Sequence, residues 1–304
     1  MQDSALTKDR ASSRWERRRI ITFAALVAPV FIFRLITAAY PILNTIWLSF
    51  TNMSMLNQTN EFVGFANYVQ MTKDPAVRSG IGFTVGYVLV STALQLVLGL
   101  LVALMLNASY RGRGFGRAVN LIPWAIPTIV AAYAFRWLLD DQFGLIPQWI
   151  FQITGHRPVI FISPFGAQSA VILVNVWKNV PFMAIIFLAG LQGVPLDLYE
   201  AAKVDGSNTW QRFWYITLPL VMPLVVTMSL FFVVWQLANF DLVYGLTYGG
   251  PGTATVTLAL RIFQEGMLFY KFGYASAISV ALLLLVGLVG LIGLVINRKV
   301  EINL

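Results

Sequence analysis

Apolar residues gather in six long runs, at about 20–44, 83–106, 117–139, 167–193, 219–239 and 275–297, with short polar segments between them. A bilayer crossing takes roughly 20 mostly apolar residues, so each run is long enough to span. Lipid offers the backbone no hydrogen bonds, which makes spans of this length helical. The pattern predicts an all-α integral membrane protein of six transmembrane helices, with no intervening segment large enough for a soluble domain. Pro123, Pro127 and Pro181 fall inside runs, where each removes a backbone donor and marks a bend.

Composition agrees with this reading. Hydrophobic residues make up 58% of the 304 residues and charged residues 11%, against about a quarter charged in a soluble domain. The net charge of +8 would suggest nucleic acid on a soluble chain. With the N-terminus in the cytoplasm, however, the basic residues sort by side. Lys8, Arg10, Arg14, Arg17, Arg18, Arg19, Arg111, Arg113, Arg117, Lys203, Arg212, Arg298 and Lys299 fall inside; Lys73, Arg78, Arg157, Arg261 and Lys271 fall outside. Cytoplasmic loops collect Lys and Arg, so both termini are expected in the cytoplasm and nucleic acid is not required. The expected organisation is a basic tail over 1–19, a membrane domain over 20–297 and a second tail over 298–304. Arg17-Arg18-Arg19 before an apolar run looks superficially like a secretion signal, but that run is too long and further spans follow. With no cysteine and one histidine, disulfides are excluded and a Cys/His zinc site has no ligands.

One polar stretch, 195–218, stands between the fourth and fifth runs. Pro195 ends the preceding span, Asp197 is a candidate N-cap with Glu200 three residues on, and Asp205-Gly206 breaks the short helix. Asn208 and Gln211 can cap a second short helix through Trp210, Phe213 and Trp214, and Pro219 suits the first turn of the next span. On physical grounds this is a capped connection rich in interfacial aromatics.

Glu200-Ala201-Ala202, Asp205-Gly206, Ile216, Leu218-Pro219 and Pro223 resemble the EAA loop of bacterial ABC-importer permeases. The likeness continues in Tyr40-Pro41, Trp47-Leu48-Ser49-Phe50, Phe62-Val63-Gly64-Phe65-Ala66-Asn67-Tyr68, Phe240-Asp241-Leu242, Gly249-Gly250-Pro251-Gly252 and Phe272-Gly273-Tyr274. The chain therefore resembles the maltose/glycerol-3-phosphate type of carbohydrate permease, of the first-permease kind, from about residue 20 onward. The resemblance implies the type I importer permease fold in the bacterial inner membrane. It implies a second homologous permease, two ATPase subunits and an extracytoplasmic solute-binding protein as partners. ATP and Mg would belong to the ATPase subunits, with no cofactor bound by this chain. Glu200, Ala201, Ala202, Asp205 and Gly206 would form the coupling surface on which the ATPase docks.

Consistent with an outside motor, the chain has no G-x-x-x-x-G-K-[ST] loop and no Gly-Lys pair. Gly112-Arg113-Gly114-Phe115-Gly116 reads as a basic turn between spans. For a substrate pathway the candidates are Asn175, Lys178, Asn179 and Phe182 on the fourth span and Trp235, Gln236 and Asn239 on the fifth. Asn175, Lys178 and Phe182 share a helical face, as do Gln236 and Asn239, by three- and four-residue spacing. Amides can donate to and accept from sugar hydroxyls; equally, they can join spans to each other. Lys178 either snorkels to the outer interface or stays inside to meet an acid or anionic substrate. Arg34, midway along the first span, needs a partner or water. Arg136 beside Asp140 and Asp141 predicts an interfacial ion pair, and His156 a solvated loop side chain. A self-contained secondary transporter fits less well, because no acid lies centrally in a run and no inverted repeat is evident. A membrane enzyme lacks a metal cluster or catalytic dyad. The substrate could be a mono-, di- or oligosaccharide, a polyol or a sugar derivative.

Overall fold

The computed structural model describes residues 2–302, with side chains described for 21–296 and for Trp15 and Arg19. The side chains of Lys8, Arg10, Arg14, Arg17, Arg18, Arg298 and Lys299, on which much of the expected charge bias rests, lie outside the described residues. The helices, in order, are α1 (Gln2–Leu48), α2 (Ala66–Lys73), α3 (Pro75–Asn107), α4 (Arg113–Asn120), α5 (Ile122–Ala125), α6 (Thr128–Leu138), α7 (Leu145–Thr154), α8 (Pro164–Gln192), α9 (Leu196–Val204), α10 (Thr209–Arg212), α11 (Leu218–Leu237), α12 (Asp241–Thr247), α13 (Leu258–Phe263) and α14 (Phe272–Ile302). Two isolated bridges, Thr51 to Phe62 and Ser54 to Thr59, close the loop after α1.

Among the described residues, five helical stretches are long and apolar enough to cross a membrane: Ile21–Leu48, Pro75–Asn107, Pro164–Gln192, Thr209–Leu237 and Phe272–Ile296. A sixth arises if α4–α5 and α6 count as one broken span. The run over 117–139 is therefore broken, at one of the prolines expected to mark a bend. Ile126-Pro127 is extended, and the two halves meet at 86°. Proline disfavours helix at the residue before it, which accounts for the break. Pro181, by contrast, is absorbed within an unbroken α8. The expected glycine turn becomes the N-cap of a helix, with α4 starting at Arg113 behind left-handed Gly112.

The α3–α8 pair forms the centre, with α5, α11 and α12 packed on α8, and α14 on α11 and α13. Met183, Phe187, Leu191, Val221 and Phe232 fill the core toward α9. Tyr87, Val171, Leu242, Leu246 and Leu260 fill it toward the opposite end. At that end Asn67 is buried and donates to the carbonyls of Ser49 (2.9 Å) and Thr51 (2.7 Å), fastening α2 to the end of α1. Gly273 lets α14 begin against the same loop: a Cβ there would lie 2.0 Å from the Thr51 carbonyl oxygen.

A charged cluster ties α3 to the α13–α14 segment. Arg261 pairs with Asp74 (3.0 Å) and Glu265 (2.6 Å), and the Tyr274 hydroxyl donates to Asp74 (2.8 Å). Burial opposes ionisation of Asp74, but hydrogen bonds from Tyr274, the Ala76 amide and Arg261, with the Arg261 charge, hold its carboxyl below the usual range. Glu265 is raised, chiefly by burial, with Arg261 and Lys271 working against the shift. The expected Arg136 ion pair does not form. Arg136 donates to the Leu246 carbonyl (3.1 Å) and sits over the Tyr248 ring, while Asp140 and Asp141 accept from backbone amides of the adjoining loop. His156 is exposed, as expected.

Candidate functional site

Two regions carry the residues singled out above. The first is α9 and its exit. Pro195, not Asp197, occupies the N-cap, and no side chain caps α9; Asp197 sits in the first turn, where its charge favours the helix dipole. The expected capping box at Asp197 and Glu200 is therefore absent, because the helix starts one residue beyond the proline. The C-terminus is firmly built. The Gly206 amide donates to Lys203 (3.0 Å) and the Ser207 amide to Ala202 (2.9 Å), with Gly206 at φ +78. This is the Schellman arrangement, in which the left-handed position favours glycine. Asn208 and Gln211 form the expected capping box. The second short helix does not end there, however. α10 runs through a π turn, Phe213–Thr217, into α11, so Thr209–Leu237 passes as one helix.

Tyr199 hydrogen-bonds Thr217 (2.9 Å) and packs in the core with Ile216, anchoring α9 to that long helix. Arg212 donates to the Ser207 carbonyl (3.1 Å) and tightens the corner. Glu200, Ala201, Asp205 and Gly206 are left exposed, with Ala202 half-buried. Val204 is 88% exposed and Leu196 73%. A capped helix held rigidly at the bundle's end thus presents two apolar side chains and a carboxylate outward.

The second region lies inside the bundle. Asn175 and Gln236 are fully buried and hydrogen-bonded to each other. Gln236 also donates to Thr92 (2.8 Å) and Gln95 (3.3 Å), and Gln95 to the Asn175 carbonyl (3.3 Å). This network joins α3, α8 and α11. Thr92 and Gln95 were not apparent from sequence; polar residues facing inward from an apolar run would have been the signal. Asn179, one turn past Asn175, donates to its backbone and side-chain oxygens (2.9 and 2.8 Å). It lines a cavity of about 120 Å³ with Trp124, Phe182, Phe231, Phe232 and Trp235. Trp124 stacks on Phe182, centroids 4.8 Å apart and planes 9° from parallel.

Lys178 neither snorkels nor meets an acid. It is 7% exposed and donates to the carbonyls of Trp124 (3.2 Å) and Ile126. Those carbonyls belong to the break in the third span, where helical partners are missing. An ammonium at a helix C-terminus is favoured by the dipole as well. From the other side Asn120 donates to the Pro181 carbonyl (3.1 Å). Trp124 is thus held against α8 by ties on both flanks. Asn239 does not join the group: α11 ends at Leu237, so Asn239 is off the helix and shares no face with Gln236. Two larger cavities, about 490 and 550 Å³, have chiefly apolar walls and contain none of the expected pathway residues.

A bundle of membrane-length helices, with a capped helix set out at one end and a polar and aromatic interior, defines a membrane transport subunit. Residues 95–302 match the family of binding-protein-dependent transport system inner membrane components, and the chain belongs to that family. The trehalose/maltose transport system permease protein MalF of Thermococcus litoralis is 37% identical, over 86% of this chain and 88% of its own length. The sulfoquinovosyl glycerol permease SmoG of Agrobacterium fabrum is 37% identical over 84% of each. The trehalose permease SugA of Mycobacterium tuberculosis is 34% identical, over 89% of this chain and 86% of its own. A chain of a bacterial alginate ABC transporter, crystallised with its alginate-bound periplasmic protein, shares the fold with a TM-score of 0.82 at 21% identity, covering 94% of this chain and 96% of that one. The protein is a multi-pass ABC-importer permease subunit, a transport component rather than an enzyme.

Proposed function

We propose that this chain is one of two unlike membrane subunits of an ATP-driven sugar importer in the bacterial inner membrane, both termini in the cytoplasm. Its partners are a second permease, two ATPase subunits that carry ATP and Mg, and an extracytoplasmic binding protein. The substrate is a sugar or glycoside, in line with what the names of the similar permeases state. The exposed α9 face carries the reading. Glu200, Ala201, Val204, Asp205 and Gly206 stand clear on a helix whose other side is anchored through Tyr199, as a surface for an ATPase cleft must.

The Asn179 cavity supports the substrate half of the reading. Its volume is below the ~300 Å³ at the low end of small-molecule sites, as fits a half-site completed by a second subunit. Asn179, Phe182 and Trp235 are its sugar-facing groups. Asn175 and Gln236 hold the spans together behind them, and Lys178 fixes the Trp124 wall. The test is reconstitution with all partner subunits. Glu200→Arg and Gly206→Val should abolish ATP-driven uptake while the binding protein still binds sugar. Uptake at the parent rate in both variants would remove the coupling assignment.

A further inference from the structure

The two halves of the broken third span are held differently. α5 packs on α8, but α6 packs chiefly on α12, and the cavity of about 550 Å³ lies between α6 and α8. Ser169, Ala170, Leu173 and Trp177 line it from α8. Their three- and four-residue spacing puts them on one side of that helix, opposite Asn175 and Asn179. The cavity is therefore a slot. It runs from Phe165, in the first turn of α8, to Trp177 twelve residues on, or roughly 18 Å. At its deep end Trp177 meets Phe135 of α6 edge-on, centroids 4.8 Å apart. At its mouth Pro158 follows Arg157, which is exposed. Arg157 donates to the Gln142 carbonyl (2.8 Å) and to the Gln148 side chain, both neutral. The nearby acids are engaged elsewhere: Asp140 accepts from the amides of Gln142 and Phe143, and Asp141 from those of Phe161 and Ile162. Over the mouth lies α7, ten residues long and too short to cross a bilayer. Phe143 before it is 87% exposed and Ile153 near its end 84%, and its exposed Trp149 suits a membrane interface.

We infer that the slot is a phospholipid site: a lipid of the leaflet on the side away from α9 seats one acyl chain between α6 and α8 and sets its phosphodiester against Arg157. Length, width and charge all select this occupant. One leaflet contributes about 15 Å of hydrocarbon, half the ~30 Å core, close to the length of the slot. A volume of about 550 Å³ spread over roughly 18 Å gives a mean cross-section of about 30 Å². A helix about 10 Å across needs about 80 Å², so the slot admits a single hydrocarbon chain and no helix of another subunit. A sugar is a poor occupant, since Ser169 offers the one side-chain hydroxyl of the wall and a sugar needs several partners. Within a bilayer an apolar chain gains nothing by leaving water. What holds it is contact with walls that otherwise face a void, together with charge-assisted hydrogen bonds between a guanidinium fork and a phosphate. So placed, the lipid props α6, one arm of the 86° break, at its distance from α8. The inference needs only the membrane setting and is independent of the sugar reading.

The test uses the complete transporter, reconstituted in vesicles of phosphatidylethanolamine and phosphatidylglycerol. The probe is phosphatidylethanolamine with a diazirine midway along one acyl chain. On illumination it should label peptides containing 135–139 and 165–177 well above the lipid-facing peptides of α14. Ser169→Phe, which fills the slot, should cut that labelling about tenfold. Arg157→Gln should do the same, a fold-change at the low end for one hydrogen bond to a charged group, and Arg157→Lys should retain most of it. A measurement on the parent protein needs no variant: after exhaustive detergent washing, mass spectrometry should find one phospholipid retained per copy of this chain. Even labelling of all lipid-facing helices, labelling unchanged in Ser169→Phe and Arg157→Gln, or no retained phospholipid would each overturn the site. So would capture of another subunit by photo-reactive benzoyl-phenylalanine in place of Leu173, which would make this face a subunit interface.

Discussion

Gln236 separates the two roles that a polar residue inside a membrane bundle can take. The structure makes it a joint. It is 1% exposed, accepts from Asn175 and donates to Thr92 and Gln95, so that one side chain on α11 serves two neighbouring helices. Interhelical hydrogen bonds in membrane proteins average about 0.6 kcal/mol, and three come to about 2 kcal/mol. Gln236→Leu also strands the Asn175 amide in a dry core, which adds about 1 kcal/mol or more. The Thr92 hydroxyl limits that loss, since it can turn back onto its own helix. A destabilisation of about 2–3 kcal/mol corresponds to a fall of roughly 5–10 °C in melting temperature for a chain of this size. Thermal unfolding of the detergent-purified complex measures it. Asn179→Ala is the contrasting variant. Its amide bonds only within its own turn of α8, so melting should move little while the apparent KM for uptake rises. If Gln236→Leu left melting unchanged and abolished uptake, the residue would be a substrate contact and the division of roles would be wrong.

Three further outcomes follow. Gly273→Ala forces a methyl into the Thr51 carbonyl and should cost about 1–3 kcal/mol, read as a lowered melting temperature; an unchanged value would mean the loop moves aside freely. Lys178→Met frees the Trp124 and Ile126 carbonyls and should loosen the Trp124 wall, raising KM for uptake more than it lowers kcat; an unchanged KM would refute the positioning role. Stability should also depend on pH in a defined way. Glu265 is raised above its ordinary 4.5, so its contribution is fully present below 4.5 and is lost as pH rises through its folded value. Asp74 lies below its ordinary 3.8, so its contribution is present above 3.8 and is lost as pH falls through its folded value. Melting temperature should therefore rise as pH falls through the folded value of Glu265 toward 4.5, and turn down once pH falls below 3.8. Glu265→Gln should flatten the rise, and an unaltered curve in that variant would show that other groups cause it.

Much of the fold was legible because lipid enforces simple rules. Five of the apolar runs overlap the five membrane-length helices, although α3 begins eight residues before its run and the helix from Thr209 begins ten before its own. Pro127 announced the bend in the third, though neither its sharpness nor the Lys178 side chain that reaches across from α8 to the carbonyls at the break. The Asn208–Gln211 cap could be read locally because both partners lie within one turn. Asp197 misled because the capping pattern does not reveal which residue leaves helical geometry first, and Pro195 does so here. The polar network was half legible. Asn175 and Gln236 stand out in apolar runs, but Thr92 and Gln95 gain meaning only when α3 is set beside α8. Helical spacing also failed at Asn239, since it assumes a helix that ends two residues earlier.

The π turn at Phe213–Thr217 has a mechanical consequence. It converts what would be a hinged linker into the short end of a single rod from Thr209 to Leu237. At about 1.5 Å per residue that rod is roughly 43 Å long. A tilt of about 5° imposed at the Schellman corner would carry its far end about 4 Å, comparable to the width of a methyl group. Gln236 sits at that far end, so a push on α9 would arrive as leverage on the joint among three spans.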